Sequence, residues 1–378
     1  MRIVHVVESL DRGGLERMVC DLVADQHAHG WRVSLLCLFH RGLLAQELEQ
    51  RGVEVESVGK SGRSDLRVML RLRRALRARS PDLVHTHNAT AHYHVVVALL
   101  GAGAPPVLNT RHGMGARSST DRRERFYRWS MPRTAQVVAV CELAARRFVR
   151  DGIAPRDLVT VIPNGIRIER FQCDQRRAMR QRLDLDLTAP VVGIVGRLNW
   201  AKNHSMLLRA FARVYAAAPQ ARLVIVGNGE LRADIEAQIA TLGLATSVVM
   251  TGDRSDVPEL LSALDVFALS STTEGYSIAL LEASASALPI VATDVGGNRE
   301  IVQHEHTGLL VAADDEEGFA SSLLRLLTDG PLRNTYAANA RAWAQRHASV
   351  ESMSAAYAKL YGTHSWSGAL TTGMARSD

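Results

Sequence analysis

Leu264-Asp265-Val266-Phe267-Ala268-Leu269, followed by Ser270-Ser271-Thr272-Thr273-Glu274-Gly275-Tyr276-Ser277-Ile278-Ala279-Leu280-Leu281-Glu282, is the stretch on which the fold turns. Its start is a short apolar run of strand length, and its end opens a helix whose apolar positions continue through Ala283 and Ala287. Strand, polar loop and helix in that order make the repeating unit of a parallel α/β sheet. Gly275 loosens the turn, and Ser277 suits the N-cap. The free N–H groups of the first helical turn and the helix dipole add at that point, so an anion site is expected at the strand's carboxyl end. Glu274 precedes the helix and Glu282 projects from its second turn, roughly 12 Å apart at ~1.5 Å rise per residue. Carboxylates accept from hydroxyl pairs, so the two would suit a sugar at one end and a ribose at the other. Spacing alone favours two solvated helix residues instead.

The same alternation runs outward in both directions. Ile3–Val7, Val33–Leu38, Val53–Val58, Leu83–His85, Val107–Asn109 and Val137–Val140 read as strands with helical stretches between them. A second set comprises Val191–Val195, Arg222–Val226, Val248–Thr251, Val266–Leu269 and Ile290–Thr293. Two sets are too many for one sheet, so the expectation is an α/β protein of two doubly wound, parallel-sheet, Rossmann-like domains. They are placed at 1–175 and 176–362, joined near Gln172 to Pro190, with the last helix able to pack back on the first domain. The tail 363–378, rich in Ser, Thr and Gly, is expected to be disordered.

Every candidate ligand residue then falls at the carboxyl end of a strand, where open α/β sheets bind their ligands. Gly13-Gly14 follows the first strand and leaves room for a phosphate or sugar near the backbone, although Gly-x-Gly-x-x-Gly is not spelled there. Val191–Val195 ends in Gly196-Arg197-Leu198 and then Lys202-Asn203. Arg197 by fork geometry and Lys202 as a point charge suit a diphosphate. Gly227 ends the next strand, either bordering a nucleotide base or making a tight turn.

Gly196-Arg197-Leu198 with Lys202-Asn203, Glu274-Gly275 with Glu282, Pro163-Asn164-Gly165, Thr251-Gly252, Asp256-Val257 and Gly13-Gly14 occur together in this order. On these residues the chain resembles the retaining glycosyltransferases of family 4, which have the GT-B fold with two domains facing each other across a cleft. The resemblance implies hexosyl transfer from a nucleoside-diphosphate sugar to a glycan or lipid-linked acceptor, with retention, without a metal ion and with no cofactor. It implies His112, Arg197, Lys202 and Glu274 as catalytic residues. Donor binding falls to Gly14, Arg197, Lys202, Gly227, Arg254, Glu274, Gly275, Tyr276, Ser277, Ile278 and Glu282. It further implies polysaccharide or glycolipid assembly in the cytoplasm, peripheral to the inner face of the cell membrane. One position departs from the family pattern: Arg167 stands where an Asp is usual.

Composition is consistent with this. The 378 residues are 47% hydrophobic but only 5% aromatic, so the cores must be built mainly from Leu, Val, Ile and Ala. Cys20, Cys37, Cys141 and Cys173 lack metal or redox spacing and suit free thiols in a reducing compartment. The start of the chain turns polar too quickly for a signal peptide, and no apolar run is long enough to span a bilayer. Charge is uneven: +12 through residue 180 and −6 beyond it. Much of the excess lies in 63–79 and 117–133. The former reads as an amphipathic helix with Leu66, Met69, Leu70, Arg73 and Leu76 along one face. The latter mixes Arg122, Arg123, Arg125 and Arg128 with Phe126, Tyr127 and Trp129, a composition suited to an anionic membrane surface. No nucleic-acid module is recognisable, so nucleic acid ranks below a membrane as partner.

His85, His87, His92 and His94 look like a metal cluster by number, but their spacing makes convergence doubtful, and His85 and His87 are assigned to a strand end or acceptor pocket. Asp184-Leu185-Asp186 matches a metal-binding Asp-x-Asp by letters only, since it lies away from any glycine-rich site. Alternatives on the same scaffold are a sugar-nucleotide epimerase, a phosphorylase, for which no pyridoxal-phosphate lysine is marked, and a non-catalytic nucleotide-sugar binder.

Overall fold

Short runs of Val, Ile and Leu flanked by turn residues form thirteen strands among the described residues. The first seven are β1 (Arg2–Val7), β2 (Arg32–Cys37), β3 (Glu54–Ser57), β4 (Leu83–His87), β5 (Val107–Arg111), β6 (Gln136–Ala139) and β7 (Val159–Val161). The other six are β8 (Val191–Val195), β9 (Arg222–Val226), β10 (Val248–Gly252), β11 (Val266–Leu269), β12 (Ile290–Thr293) and β13 (Gly308–Val311). The computed structural model describes residues 1–363 apart from 12, 62–64, 66, 102 and 115–121; the tail expected to be disordered lies outside them. The chain divides into two units, Met1–Gly165 with Val350–Asp378, and Ile166–Ser349. The change-over therefore lies ahead of the expected 175/176 boundary, and the chain returns to its first unit with the helix Val350–Thr363.

In the first unit seven parallel strands are ordered β3-β2-β1-β4-β5-β6-β7. Strand side chains alternate between faces, and here the two faces differ in kind. Val4, Val6, Leu36 and Val84 join Val68, Leu72, Leu76 and Val95 in an apolar core. The opposite face carries His5 and His85, which are register partners on β1 and β4, with His87 two residues along. The helices Gly14–Ala28 and Val350–Thr363 pack together in the same unit, and their Gln26, Tyr357 and Tyr361 meet this polar face.

In the second unit six parallel strands are ordered β10-β9-β8-β11-β12-β13. Val192, Ile194, Leu223, Ile225, Val266 and Ala268 pack against Leu207, Phe211 and Val214 of the helix His204–Ala217. Both sheets reverse their winding, at β1/β4 and at β8/β11. Those points are where a doubly wound sheet opens a crevice for ligand.

The basic helix Arg67–Arg79 buries Val68, Leu72, Ala75 and Leu76, a stripe offset from the expected one, and leaves Leu70 exposed; Leu66 lies outside the described residues. Its arginines are not simply solvated: Arg71 donates to Val58 O at 2.6 Å and Arg73 to Leu100 O at 3.0 Å. Of the described residues, no helix is long and apolar enough to cross a membrane.

Candidate active site

The strand-end loops of the second unit are sewn together by backbone. Gly196 N donates to Val226 O and Gly227 N to Gly252 O, at 3.0 and 2.9 Å. Gly227 has φ +132°, and a Cβ there would lie 2.0 Å from Gly196 O, so only glycine allows this approach. That accounts for Gly227 as a tight turn without reference to a ligand. The loop after β8 is likewise fastened to the loop after β11. Thr272 N donates to Ala201 O at 2.8 Å, and Ser270 Oγ donates to Lys202 O at 2.8 Å and to Asn203 O at 3.1 Å.

This sewing brings Lys202 and Glu274 together. Asn199 Oδ1 accepts from Lys202 N at 3.3 Å. The Lys202 side chain then runs past Gly196, where a Cβ would stand 3.2 Å from its Cε. Lys202 Nζ donates to Glu274 Oε1 at 2.5 Å, and Ser271 Oγ donates to the same oxygen at 2.5 Å. Both side chains are largely buried, 18% and 11% exposed. Arg197 is exposed, and its side chain makes no hydrogen bond or ion pair to the described residues. One guanidinium is thus unengaged on the loop where the lysine is already held.

The Glu274-Gly275 peptide is fixed from a third loop that the sequence did not single out. Gly297 N donates to Gly275 O at 2.9 Å, and Gly296, at φ +55°, would place a Cβ 1.8 Å from Glu274 O. Ser277 occupies the N-cap of the helix Ile278–Ala285, yet its hydroxyl makes no capping bond and is buried without a partner. Tyr276 is buried, Ile278 and Glu282 are half-buried. Arg254 is held in a two-pronged pair with Asp256, at 2.8 and 2.6 Å. That hydrogen-bonded carboxylate raises the guanidinium's pKa above its ordinary value.

In the first unit Gly14 is the exposed first residue of the helix Gly14–Ala28, which Gly13 caps in extended conformation. His112 follows β5, and its backbone N–H donates to Asn88 Oδ1 at 3.2 Å. Asn88 follows β4 as the first residue of the next helix and takes the left-handed conformation, φ +64°. Asn109 Nδ2 braces the same turn through Asn88 O at 3.1 Å, and Tyr127 OH in turn donates to Asn109 Oδ1 at 2.7 Å. Burial lowers the His112 imidazole to about 4, opposed only by a loose contact with the buried Asn164 side chain. Asn164, of the Pro163-Asn164-Gly165 motif, thus stands beside His112.

The histidines do converge, but not as the set of four weighed above. His5, His85 and His87 bring ring nitrogens within 4.8 Å of one another. His92 instead bonds Thr86 and Thr134, at 2.9 and 2.8 Å, and His94 bonds Thr90 O at 2.8 Å. His5 carries no local sequence signal, because its place depends on which strands are neighbours.

The helix Arg122–Ser130 turns Glu124 and Tyr127 inward. Glu124 pairs with Arg111 at 2.5 Å, and the Arg111 guanidinium lies over the Tyr127 ring. Phe126 and Trp129 are half exposed, 51% and 49%, and Arg122, Arg123 and Arg125 are exposed beside them. Arg128 is more enclosed and donates to Asp151 O at 2.8 Å.

Against known proteins, residues 12–170 match the family model "Glycosyltransferase Family 4", and residues 175–343 match "Glycosyl transferases group 1". The chain is similar to the UDP-Gal:alpha-D-GlcNAc-diphosphoundecaprenol alpha-1,3-galactosyltransferase of Escherichia coli. The two are 28% identical over 73% of this chain and 74% of that protein. A D-inositol 3-phosphate glycosyltransferase of Stackebrandtia nassauensis is 37% identical over 50% of this chain and 45% of its own length. Among solved structures, Anabaena HepE in complex with UDP and glucose superposes with a TM-score of 0.86 at 24% identity, over 96% of this chain and 100% of that one. With one family model on each half and this fold, the chain belongs to the family 4 glycosyltransferases and has the GT-B fold.

Proposed function

We propose that the protein moves a sugar from a nucleoside-diphosphate sugar to a glycan or lipid-linked acceptor in polysaccharide or glycolipid assembly, with retention and without a metal ion. One observation carries this most: Lys202 and Glu274 are joined at the ends of β8 and β11, where the strand order reverses. Arg197, unengaged on the same loop, supplies a second cation for the diphosphate. Charge gathers on that diphosphate as the glycosidic bond breaks, and preorganised cations stabilise it there. A metal ion does the same work elsewhere, so Arg197 and Lys202 stand in its place.

Glu274 accepts from sugar hydroxyls and Glu282 from the ribose, with Gly227 and Arg254 toward the base. Gly275, Tyr276, Ser277 and Ile278 line the donor. Retention rests on the family alone. The Escherichia coli relative is named for a UDP-sugar donor and a polyprenyl-diphosphate acceptor, and a Campylobacter jejuni relative, 34% identical over 40% of this chain, is also named for a diphospho-undecaprenol acceptor. Those names favour a uridine donor and a lipid-diphosphate acceptor here.

Such an acceptor lies at a membrane, and exposed Phe126 and Trp129 among arginines give the first unit a surface for anionic lipid at the cytoplasmic face. Basic residues contribute about 1 kcal/mol each near such lipid. A thermal-shift screen of nucleotide sugars with excess EDTA tests the donor half. A true donor at 100 times its Kd adds about 2.7 kcal/mol. Stabilisation that appears only when Mg²⁺ is restored would contradict metal independence.

A further inference from the structure

A line of hydrogen bonds runs inward from His112 through the polar face of the first unit. His112 Nε2 meets His87 Nδ1 at 3.1 Å, His87 Nε2 meets His5 Nδ1 at 3.1 Å, and His5 Nε2 meets Gln26 Oε1 at 2.9 Å. Gln26 Nε2 faces Tyr361 OH at 3.5 Å, and Tyr361 OH meets His85 Nδ1 at 2.7 Å. His85 Nε2 ends on Thr110 Oγ1 at 2.7 Å. The three inner imidazoles could pass for a metal site by distance, but every one of their ring nitrogens already has a partner.

The sense of this line follows from one atom. An amide oxygen only accepts, so His5 Nε2 carries the proton given to Gln26. Burial holds His5 at about 4 and His87 well below the ordinary value, so both are neutral and each ring has one donor and one acceptor. His5 Nδ1 is then the acceptor for His87 Nε2–H, and His87 Nδ1 is the acceptor for His112 Nε2–H. Each assignment forces the next.

We propose that His87, His5 and Gln26 are positioning residues for His112, locking its ring as the neutral Nε2–H tautomer and reserving Nδ1 as an acceptor for a substrate hydroxyl. Among the imidazole nitrogens of the line, His112 Nδ1 alone has no hydrogen-bond partner of good geometry among the described residues; the Asn164 side chain interacts with the same ring. His112 thus acts as a fixed hydrogen-bond acceptor and carries no positive charge. The imidazoles hand their N–H bonds to an amide rather than a carboxylate, so the line orients the ring and does not draw a proton away. That His112 serves sugar transfer rests on the function proposed above; the tautomer itself does not.

The test is two-bond ¹⁵N–¹H correlation of the histidine rings in the full chain at neutral pH, read together with kinetics. Wild type should show His112, His87 and His5 all as Nε2–H. Gln26→Met removes the terminal acceptor and should leave His112 a mixture of tautomers, lowering kcat about tenfold with the donor KM unchanged. Gln26→Glu keeps an acceptor at that end and should hold the Nε2–H form and a near-normal kcat. Nδ1–H or cationic His112 in wild type overturns the proposal. So does a Gln26→Met protein that loses stability while its His112 ring stays pure Nε2–H. If the tautomers are as stated but no nucleotide sugar supports transfer, the proposed function fails and the positioning line stands.

Discussion

Replacing Lys202 with Met isolates the ion pair at the centre of the site, because Met keeps the apolar stem beside Gly196 and removes only the charge. Glu274 would retain Ser271 Oγ as its donor, but would lose its cationic partner while only 11% exposed. A hydrogen bond to a charged group contributes about 1.5–3 kcal/mol, whereas breaking a fully buried pair costs about 3–5 kcal/mol. The 18% exposure of Lys202 places this pair below the second range, so the loss should be about 2 kcal/mol. For a unit of this size each kcal/mol moves the melting temperature by roughly 2–4 °C, giving a fall of roughly 4–8 °C in the transition of Ile166–Ser349. Glu274→Gln and the double variant complete the cycle, and the coupling energy should be about 1–2 kcal/mol. Calorimetry of the four proteins reads it. Additive effects, with coupling below about 0.5 kcal/mol, would refute the pairing on which the donor site is built.

Three further outcomes follow from the same structure. Glu282→Ala should weaken binding of bare UDP, whereas Glu274→Ala should reduce sugar-dependent turnover more than UDP affinity; equal losses of UDP affinity by titration calorimetry would reverse the two ends. Burial holds His5 and His112 at about 4, His92 at about 3, and His85 and His87 well below the ordinary value. The unfolded chain therefore takes up protons near pH 6.5 that the fold refuses, and each group subtracts up to about 1.4 kcal/mol per pH unit below that point. In the second unit burial holds down His204, at about 4, against the five histidines just named in the first, so between pH 6.5 and 4 the first unit should lose stability faster; parallel decline by two-transition calorimetry contradicts this. Wild type should co-sediment with anionic vesicles at low salt and not with neutral ones, and Arg122→Gln, Arg123→Gln and Arg125→Gln together should release it. Arg128 is left intact because it holds Asp151 O; wild type remaining in the supernatant would remove the membrane from the proposal.

The strands that face core on both sides were legible because Val- and Ile-rich runs have no other stable use in a chain with so few aromatics. The two missed strands are both edges. β7 is only half-buried along its length, so no burial pattern marks it. β13 begins at Gly308, where a Cβ would lie 2.3 Å from Ile290 O, and a leading glycine reads as a break. In the helix Arg67–Arg79 leucines fall on two overlapping helical stripes, and the sheet, not the sequence, decides that Leu72 goes in and Leu70 out. His5 escaped notice because its partners arrive on β4 after a long crossover, and Asn164 because its motif has a sufficient local use as a turn. Gly296 and Gly297 likewise act on Glu274 across a loop that local patterning does not connect. What the sequence could not carry is adjacency between non-consecutive strands.

The most direct test of the central claim is transfer of labelled sugar from a panel of UDP- and GDP-sugars to a polyprenyl-diphosphate-linked sugar, followed by linkage NMR of the lipid-extracted product. One donor should give product with its anomeric configuration retained in the presence of EDTA, and Arg197→Ala should slow this by on the order of 10²–10³. Interconversion of the donor sugar without transfer, or product of inverted configuration, would contradict the account.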